Sequence, residues 1–243
     1  MATARASSPR EPWFQATGRG IRIGIVDSGW DFSIGDPRVE RGIALVSSAD
    51  PLQLVVNDDD QDRNGHGTEC ADLVLQVAPE SRIVPIRVFG PRLETSPEVI
   101  VAALLWARDR QLDVVNLSLG TRREDALLPL YKVCASVSRE GTLIVAAASP
   151  GGHDYPSVFE TVLGVGHAPL VDRFAVRTDL ESMIECRARG VNQRARSLGG
   201  REVVRSGTSF AAPIVTGQVA RILEHTPTLT IDGVRRVLAT MPS

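Results

Sequence analysis

Residues 21–29 read Ile-Arg-Ile-Gly-Ile-Val-Asp-Ser-Gly, and this stretch decides the fold class. Its apolar residues form a short run rich in β-branched side chains, which is typical of a strand covered on both faces in a parallel sheet. The run stops at Asp27. Ligands of such sheets bind beyond the carboxyl ends of the strands, so the residues that follow each strand are the first candidates for function.

Similar apolar runs recur along the chain, and longer periodic segments separate them. The further predicted strands cover residues 83–89, 114–119, 142–147 and 161–165. The predicted helices cover residues 69–76, 98–110, 127–139 and 210–224, and a short last helix begins near Thr230. Ser96 before Pro97 is a typical helix start, with serine as the cap. This alternation predicts an α/β fold in three layers, with a mostly parallel β-sheet flanked by helices.

The length and the charge limit both the domain count and the partners. A chain of 243 residues suits one α/β domain, which we place at residues 21–243. A polar arm at residues 1–20 precedes it, in which Trp13 and Phe14 are able to pack on the domain. The net charge is −2 at pH 7. Without a basic excess, neither nucleic acid nor an anionic membrane is an expected partner. No apolar run is long enough to span a membrane.

Cysteine usage and the first residues suggest a compartment. Cys70, Cys134 and Cys186 form neither a disulfide framework nor a zinc motif, so we expect three buried thiols. The first 20 residues contain no apolar segment of the kind found in a secretory signal. These observations predict a cytoplasmic protein.

Three short motifs carry the chemistry. Asp27 ends the first strand, His66 lies within Asn-Gly-His-Gly-Thr before a predicted helix, and Ser209 lies within Ser-Gly-Thr-Ser-Phe before another. Each alone is typical of a turn or a helix cap. Together they supply what nucleophilic catalysis requires, because a serine needs a histidine to take its proton and the histidine needs a carboxylate to fix its tautomer.

The motifs Val26-Asp-Ser-Gly29, His66-Gly-Thr68 and Gly207-Thr-Ser-Phe-Ala-Ala-Pro213 resemble those of the subtilisin-like serine proteases (subtilases, peptidase family S8). The resemblance extends over about residues 20–240 and implies a subtilisin-like fold. It also implies that Asp27 orients His66, that His66 acts as general base and then acid, and that Ser209 is the nucleophile. The Ser209 amide and Thr208 are the implied oxyanion donors.

The resemblance also implies where a peptide or protein substrate binds, with no cofactor. The residues expected to pair with it as an added strand are Ser118, Leu119 and Gly120. Ala147 and Ala148 are expected to line the pocket for the residue before the scissile bond. Asp154 is expected near the base of that pocket, where a carboxylate favours arginine or lysine; alternatively it is an exposed loop residue.

Two departures from the family pattern affect the predicted chemistry. The family places an asparagine that donates to the oxyanion where this chain has Pro150, and Ser149 or His153 are possible substitutes. Loss of one such donor costs on the order of 10²–10³ in kcat in subtilisin, so we expect either a slow, selective enzyme or an oxyanion hole that is assembled differently. The helix after His66 also lacks the family's calcium-binding loop, and we expect no metal there. Residues 57–62 are either a solvated acidic loop or a cation site.

The sequence therefore predicts a serine endopeptidase that hydrolyses peptide bonds through an acyl-enzyme, with a selective intracellular processing role. Two alternatives stay open. One is a catalytically impaired pseudoprotease that binds extended peptides, favoured by Pro150. The other is a peptide ligase or cyclase that uses the same triad.

Overall fold

The computed structural model describes residues 12–47, 54–90 and 93–241 of the chain. The strands of the main sheet are β1 (Arg22–Asp27), β2 (Ile43–Ser47), β3 (Leu54–Asn57), β4 (Arg82–Arg87), β5 (Val114–Leu117), β6 (Leu143–Ala147), β7 (Leu163–His167), β8 (Val176–Thr178) and β9 (Cys186–Ala188). A separate hairpin consists of β10 (Gln193–Arg196) and β11 (Glu202–Arg205). The helices are α1 (His66–Val77), α2 (Pro97–Asp109), α3 (Glu124–Arg139), α4 (Ala212–His225) and α5 (Ile231–Ala239).

The main sheet is parallel in its centre and antiparallel only at its two edges. Its strand order is β3-β2-β4-β1-β5-β6-β7-β9-β8. The pairs β2–β3 and β8–β9 are antiparallel, and every pair between them is parallel. Parallel neighbours need long crossovers, which here contain helices on both faces of the sheet. The predicted mostly parallel α/β fold is confirmed.

The alternation of side chains in β1 shows how the three layers form. Ile23 and Ile25 point into a core shared with α1 and α4, whereas Val26 points into the core shared with α2 and α3. All three side chains are fully buried, and each contributes about 1.5–3 kcal/mol relative to exposure. A strand covered on both faces therefore has a continuous apolar sequence instead of an alternating one.

The predicted central elements match the structure within a few residues, with local differences. The strand predicted over 114–119 ends at Leu117, and the helix predicted over 127–139 begins at Glu124. The cap prediction at Thr230 is confirmed, because its hydroxyl accepts the Gly233 amide at 3.3 Å. The cap prediction at Ser96 is wrong in its chemistry, since its side chain makes no capping hydrogen bond.

The segment 12–20, which we assigned to the arm, lies against α4. Trp13 is only 7% exposed within the core and stacks on Phe14 at 4.3 Å between ring centroids. Arg221 donates to the Phe14 carbonyl, and Glu224 accepts backbone amides of this segment at 2.7 Å. The part of the arm at residues 1–11 lies outside the described residues.

The prediction of buried thiols is confirmed, since Cys70, Cys134 and Cys186 are all free and buried. Burial raises the pKa of each thiol above its ordinary value, so these groups are protonated at neutral pH. Within the three described ranges, none of the helices has the length and apolar character that a membrane crossing requires.

Candidate active site

Asp27 occupies the last position of β1, at the carboxyl edge of the sheet. Its side chain is completely buried, and its Oδ1 accepts the Ser28 amide at 2.8 Å. The turn after the strand runs directly beneath the start of α1. A Cβ on Gly67 would lie 2.4 Å from the Gly29 carbonyl oxygen, so only glycine allows this close approach. The strand end and the helix start are therefore held together by backbone packing.

The start of α1 is fixed by Asp62, a residue that the sequence reasoning assigned only to an acidic loop. One carboxylate oxygen accepts the Asn64 and Gly65 amides at 2.8 and 2.9 Å. The other accepts the amide and hydroxyl of Thr68 at 3.0 and 2.7 Å. Asp62 thus satisfies backbone donors at the helix N-terminus and holds His66, the first residue of α1.

Two further carboxylates of the segment 57–62, those of Asp59 and Asp60, are also paired within the protein. Asp60 is fully buried, accepts the Gly42 amide at 2.6 Å and lies 2.6 Å from a guanidinium nitrogen of Arg41. Asp59 pairs with Arg63 and Arg87. The interpretation as a solvated loop is therefore wrong for Asp60 and Asp62. Among the described residues, the segment brings no three metal-ligating groups together.

His66 and Asp27 form a close pair beneath the cleft. The Nδ1 atom of His66 lies 2.8 and 2.9 Å from the two carboxylate oxygens of Asp27. Burial is the largest single influence and lowers the pKa of His66, but the charge and hydrogen bond of Asp27 together with the contact to Cys70 outweigh it, so the pKa of His66 is raised above its ordinary value. This arrangement places the Nδ1 proton toward Asp27 and leaves Nε2 as the ring nitrogen that can exchange a proton.

Ser209 lies in a short 3₁₀ turn, Thr208–Phe210, immediately before α4. Its hydroxyl donates to the Ser118 carbonyl at 3.2 Å, and none of the described hydrogen bonds joins it to His66. Both side chains line the same cleft, and the Phe210 ring lies 5.2 Å from the His66 ring between centroids. The structure therefore brings Asp27, His66 and Ser209 to one place. Serine–histidine hydrogen bonds are often loose without substrate.

A buried polar network lies below His66, and sequence reasoning missed it. The Cys70 thiol lies 3.8 Å from His66 Nδ1 and donates to the Ser118 hydroxyl at 3.4 Å. The Asn116 amide donates to the same hydroxyl at 2.9 Å, and Thr216 donates to the Asn116 carbonyl oxygen at 2.9 Å. Cysteine, asparagine and threonine next to apolar residues are signals too weak to identify such a network from one sequence.

Ser118, Leu119 and Gly120 follow β5 and border the cleft. A cavity of about 410 Å³ opens there, and its lining includes His66, Ser209, Phe89 and all three of these residues. Leu119 and Phe89 also pack against the core between the sheet and α2. The cleft thus combines a backbone segment, an apolar wall and the His66–Ser209 pair.

Asp154 is not an exposed loop residue. It is 4% exposed, and its Oδ1 accepts the Ser149 amide at 2.9 Å and the Ser149 hydroxyl at 2.7 Å. A Cβ on Gly120 would lie 2.5 Å from its Oδ2, so the carboxylate faces the Gly120 backbone. Arg122 reaches Asp154 only through Ser149, because it donates to the Ser149 hydroxyl at 2.9 Å. Ala147 ends β6, and Ala148 follows it and lines a second cavity.

A second cavity, of about 530 Å³, lies beside Thr208 and is also lined by Pro150, His153 and His167. Pro150 offers no donor to this space. The Ser149 hydroxyl is committed to Asp154. Of the two substitutes considered for the missing donor, only His153 therefore has an uncommitted side chain among the described hydrogen bonds.

The geometry agrees with the comparisons with known proteins. The model of the subtilase family (Peptidase_S8) matches residues 18–241. The chain is 29% identical to Subtilisin DY of Bacillus licheniformis, over 91% of this chain and 83% of that protein. It is 30% identical to Subtilisin of Bacillus pumilus, over 90% and 82%.

Solved structures support the fold independently. A cold-adapted subtilisin-like serine proteinase superposes with a TM-score of 0.75 at 22% identity, covering 93% of this chain and 83% of its own. A psychrophilic protease, S41, superposes with a TM-score of 0.76 at 24% identity, covering 93% and 84%. The resemblance seen in the three motifs is thus confirmed, and the chain belongs to the subtilase family of serine endopeptidases.

Proposed function

We propose that Asp27, His66 and Ser209 form the catalytic triad of this endopeptidase. The observation that carries the proposal is the contact of His66 Nδ1 with both Asp27 oxygens, at 2.8 and 2.9 Å, in a cleft that Ser209 shares. The carboxylate fixes the ring tautomer and stabilises the imidazolium that forms during catalysis.

The reaction follows from this arrangement in two balanced steps. The Ser209 oxygen bonds to the carbonyl carbon of the substrate while its proton moves to His66 Nε2, and the tetrahedral intermediate then expels the amine, which takes that proton. Water repeats the sequence on the acyl-enzyme, giving its proton to His66 and releasing the acid and free Ser209. Before attack, the hydroxyl must leave the Ser118 carbonyl and turn toward His66.

The negative oxygen of the tetrahedral intermediate needs donors, and two are available next to the nucleophile. The Ser209 amide lies in the turn that precedes α4, and the Thr208 hydroxyl lines the adjoining cavity. Amides at a helix start carry partial positive charge, which favours an anion there. These two groups are the proposed oxyanion donors.

The substrate binds as an extended strand along Ser118, Leu119 and Gly120, whose backbone borders the cleft. Ala147 and Ala148 are small residues that leave room for the side chain before the scissile bond. No part of this arrangement requires a cofactor.

The same site favours a basic residue before the scissile bond. Asp154 is buried, and its described partners are the amide and hydroxyl of Ser149, which carry no formal charge. A carboxylate held in this way is stabilised by an incoming guanidinium or ammonium group. Gly120 leaves the path to Oδ2 free of a side chain.

Paired peptide substrates test this specificity. We expect arginine or lysine to exceed leucine at this position by about 10–100-fold in kcat/KM, and Asp154→Asn to remove most of that difference. Hydrolysis of a leucine substrate serves as the control for folding, and Asp154→Asn is expected to retain it. Preference for leucine in the wild-type enzyme would contradict this assignment.

A fluorophosphonate probe tests the triad itself. We expect stoichiometric labelling of the wild-type protein at Ser209, and no labelling of Ser209→Ala or of His66→Ala. Mass spectrometry of peptide products then distinguishes hydrolysis, which adds one water across the cleaved bond, from ligation, which does not. Labelling that persists in Ser209→Ala would refute the assignment of the nucleophile, and absence of labelling in the wild type would favour a peptide-binding pseudoprotease.

We further propose a selective processing role inside the cell, together with the division into an arm at residues 1–20 and a peptidase domain at residues 21–243. The free thiols of Cys70, Cys134 and Cys186 suit a reducing compartment. Terminal-peptide mass spectrometry of a host proteome, with Ser209→Ala as the control, tests the role. A few defined cleavage sites are expected, whereas general degradation would oppose the proposal.

A further inference from the structure

The cavity beside Thr208 poses a chemical question. An oxyanion formed on Ser209 lies next to Thr208, and the cavity of about 530 Å³ on this side is bordered by Pro150, which has no donor. One further side chain of this cavity, His167, ends β7 and is exposed to the space. The sequence reasoning did not consider it.

The tautomer of His167 is set by a backbone contact. The Gly190 amide donates to His167 Nδ1 at 3.0 Å. An N–H group can only donate, so Nδ1 must present its lone pair, and the proton of the neutral ring is on Nε2. Because Nδ1 is occupied by Gly190, Nε2–H is the donor that remains available to the cavity.

Gly190 also joins His167 to the loop of the nucleophile. The Gly190 carbonyl accepts the Gly207 amide at 2.7 Å, two residues before Ser209. A Cβ on Gly190 would lie 2.7 Å from the Gly207 carbonyl oxygen and 3.4 Å from His167 Nδ1, so ring, strand and loop are in close packing. By the alternation of β7, His167 also points to the same face as Val165, which packs in the core with α4.

The two donors next to Pro150 that the sequence suggested, Ser149 and His153, are less suited to the task. The Ser149 hydroxyl donates to Asp154. Among the described hydrogen bonds, none fixes the ring of His153, which lies on the exposed turn after Pro150. Donors to a developing oxyanion act most strongly when they are held in place before the reaction. His167 meets this requirement because Gly190 holds its ring.

We propose that His167 is a further catalytic residue, whose Nε2–H donates to the oxyanion of the tetrahedral intermediate and supplies the donor that Pro150 cannot. The inference rests on the proposed role of Ser209 as nucleophile. It assigns the oxyanion site three donors: the Ser209 amide, the Thr208 hydroxyl and the His167 imidazole.

The main test compares steady-state kinetics of His167→Ala with wild type on one peptide substrate. We expect kcat to fall by about 10²–10³-fold with KM changed less than threefold, because the hydrogen bond forms only in the transition state. A peptide aldehyde, whose adduct on Ser209 carries an oxyanion, is expected to lose affinity by a similar factor. His167→Gln retains an N–H donor and is expected to recover part of the activity. His225→Ala, a change of an exposed histidine at the end of α4, is the matched control and is expected to keep the wild-type kcat.

A rescue experiment separates a donor role from a structural one. Asparagine at position 150 offers a side-chain amide to the same cavity, so Pro150→Asn is expected to raise kcat of His167→Ala at least tenfold and to change the wild type far less. The thermal midpoint of each variant reports folding. If His167→Ala folds and keeps kcat within threefold, the assignment of His167 is overturned while the triad stands. If Ser209→Ala keeps wild-type activity, the proposed function itself fails.

Discussion

The pair of His66 and Asp27 sets the working pH of the site through two opposed effects. Burial disfavours the charged imidazole and lowers its pKa, while the charge and hydrogen bond of Asp27, together with the contact to Cys70, raise the pKa by more. A raised pKa means that the pair stabilises the fold fully below the unfolded pKa of histidine, and that this stabilisation is lost as pH rises through the folded pKa. Catalysis has the opposite requirement, because only neutral His66 accepts the Ser209 proton.

At the Asp27–His66 pair, Asp27→Asn is expected to change both the pH dependence and the rate. The asparagine removes the charge, so the pKa of His66 falls, and the rise of kcat/KM with pH shifts to lower pH. The ring is also left without its fixed tautomer, and kcat is expected to fall by about 10⁴-fold. A pH–rate profile measures both effects. Asp109→Asn, an exposed change on α2, serves as control and leaves the profile in place. If the pH dependence of kcat/KM in Asp27→Asn is unshifted, a group other than His66 controls it.

At this scale the sequence identified the residues whose roles depend on type and spacing. Asp27, His66 and Ser209 stand in ordered motifs, and the structure places them together. His167 and Asn116 gave no such signal. Their significance depends on contacts with Gly190 and Thr216, which lie 23 and 100 residues away in sequence. A single sequence contains no information on such pairs.

Among the elements, α1 is held by acidic residues at two places: at its start and on the face that contacts the β10–β11 hairpin. Asp62 accepts donors from its first turn, and Glu69 faces the β10–β11 hairpin. Glu69 is buried and accepts two hydrogen bonds from Arg205, at 2.9 and 3.0 Å, and one from Ser197 at 2.7 Å. The helix that carries His66 is thus held at both places by carboxylates.

Asp62→Ala is expected to lower the free energy of unfolding by about 1–2 kcal/mol, because it removes the cap of α1 and leaves the Gly65 and Thr68 amides without their acceptor. Urea denaturation measures the loss. Asp58→Ala is the matched control, since Asp58 is exposed in the same segment. Equal stability of the two variants would show that the cap contributes nothing. Because His66 begins the helix, kcat is also expected to fall, and by more than the loss of folded protein alone would cause.

The hairpin offers a paired comparison of a buried and an exposed ion pair. Arg205→Met leaves the buried Glu69 carboxylate with Ser197 as its remaining described side-chain partner, and we expect a loss of about 1–3 kcal/mol in unfolding free energy, reduced by the exposure of the arginine. Arg194→Met removes an exposed pair with Glu202 on the same hairpin, and little change is expected. Urea titration of both variants decides; a larger loss in Arg194→Met would contradict this account.

The elements that the sequence predicted are those with long apolar patterns. The central strands and the main helices were found within a few residues. The strands β10 and β11 were missed because Gln-Arg-Ala-Arg and Glu-Val-Val-Arg are short, polar and exposed on one side. Their pairing with each other, and for β10 the burial of Gln193 and Ala195, define them. The start of α1 was predicted at Glu69, because the glycines around His66 hide the first turn of the helix from a propensity argument.

In the whole molecule, the packing of α1 against α4 sets the distance between His66, the proposed general base, and Ser209, the proposed nucleophile. His66 begins the first helix, and Ser209 lies in the turn before the second. Gly217 of α4 allows the helices to approach, since a Cβ there would lie 2.5 Å from the Val77 Cβ. The catalytic geometry therefore depends on a glycine that lies away from the cleft.

Gly217→Ala tests this dependence. The added methyl must displace one of the helices, so we expect a loss of about 1–3 kcal/mol in unfolding free energy together with a fall in kcat. Gly90→Ala, where a Cβ meets nothing within 4 Å, is the control for unfolding. Unfolding is followed in urea, and kcat is measured on the same samples. Unchanged stability and kcat in Gly217→Ala would disprove the packing argument.

The contact between the segment 12–20 and α4 has a consequence for the newly made chain. Arg221 and the Phe14 carbonyl are 207 residues apart in sequence, so this contact forms only after residue 221 has been made. Domains fold as their chains emerge from the ribosome, N-terminal parts first. A chain interrupted before residue 209 can contain Asp27 and His66 yet has no nucleophile. The order of the proposed triad along the chain thus leaves a partly made molecule without the residue that we propose as the nucleophile.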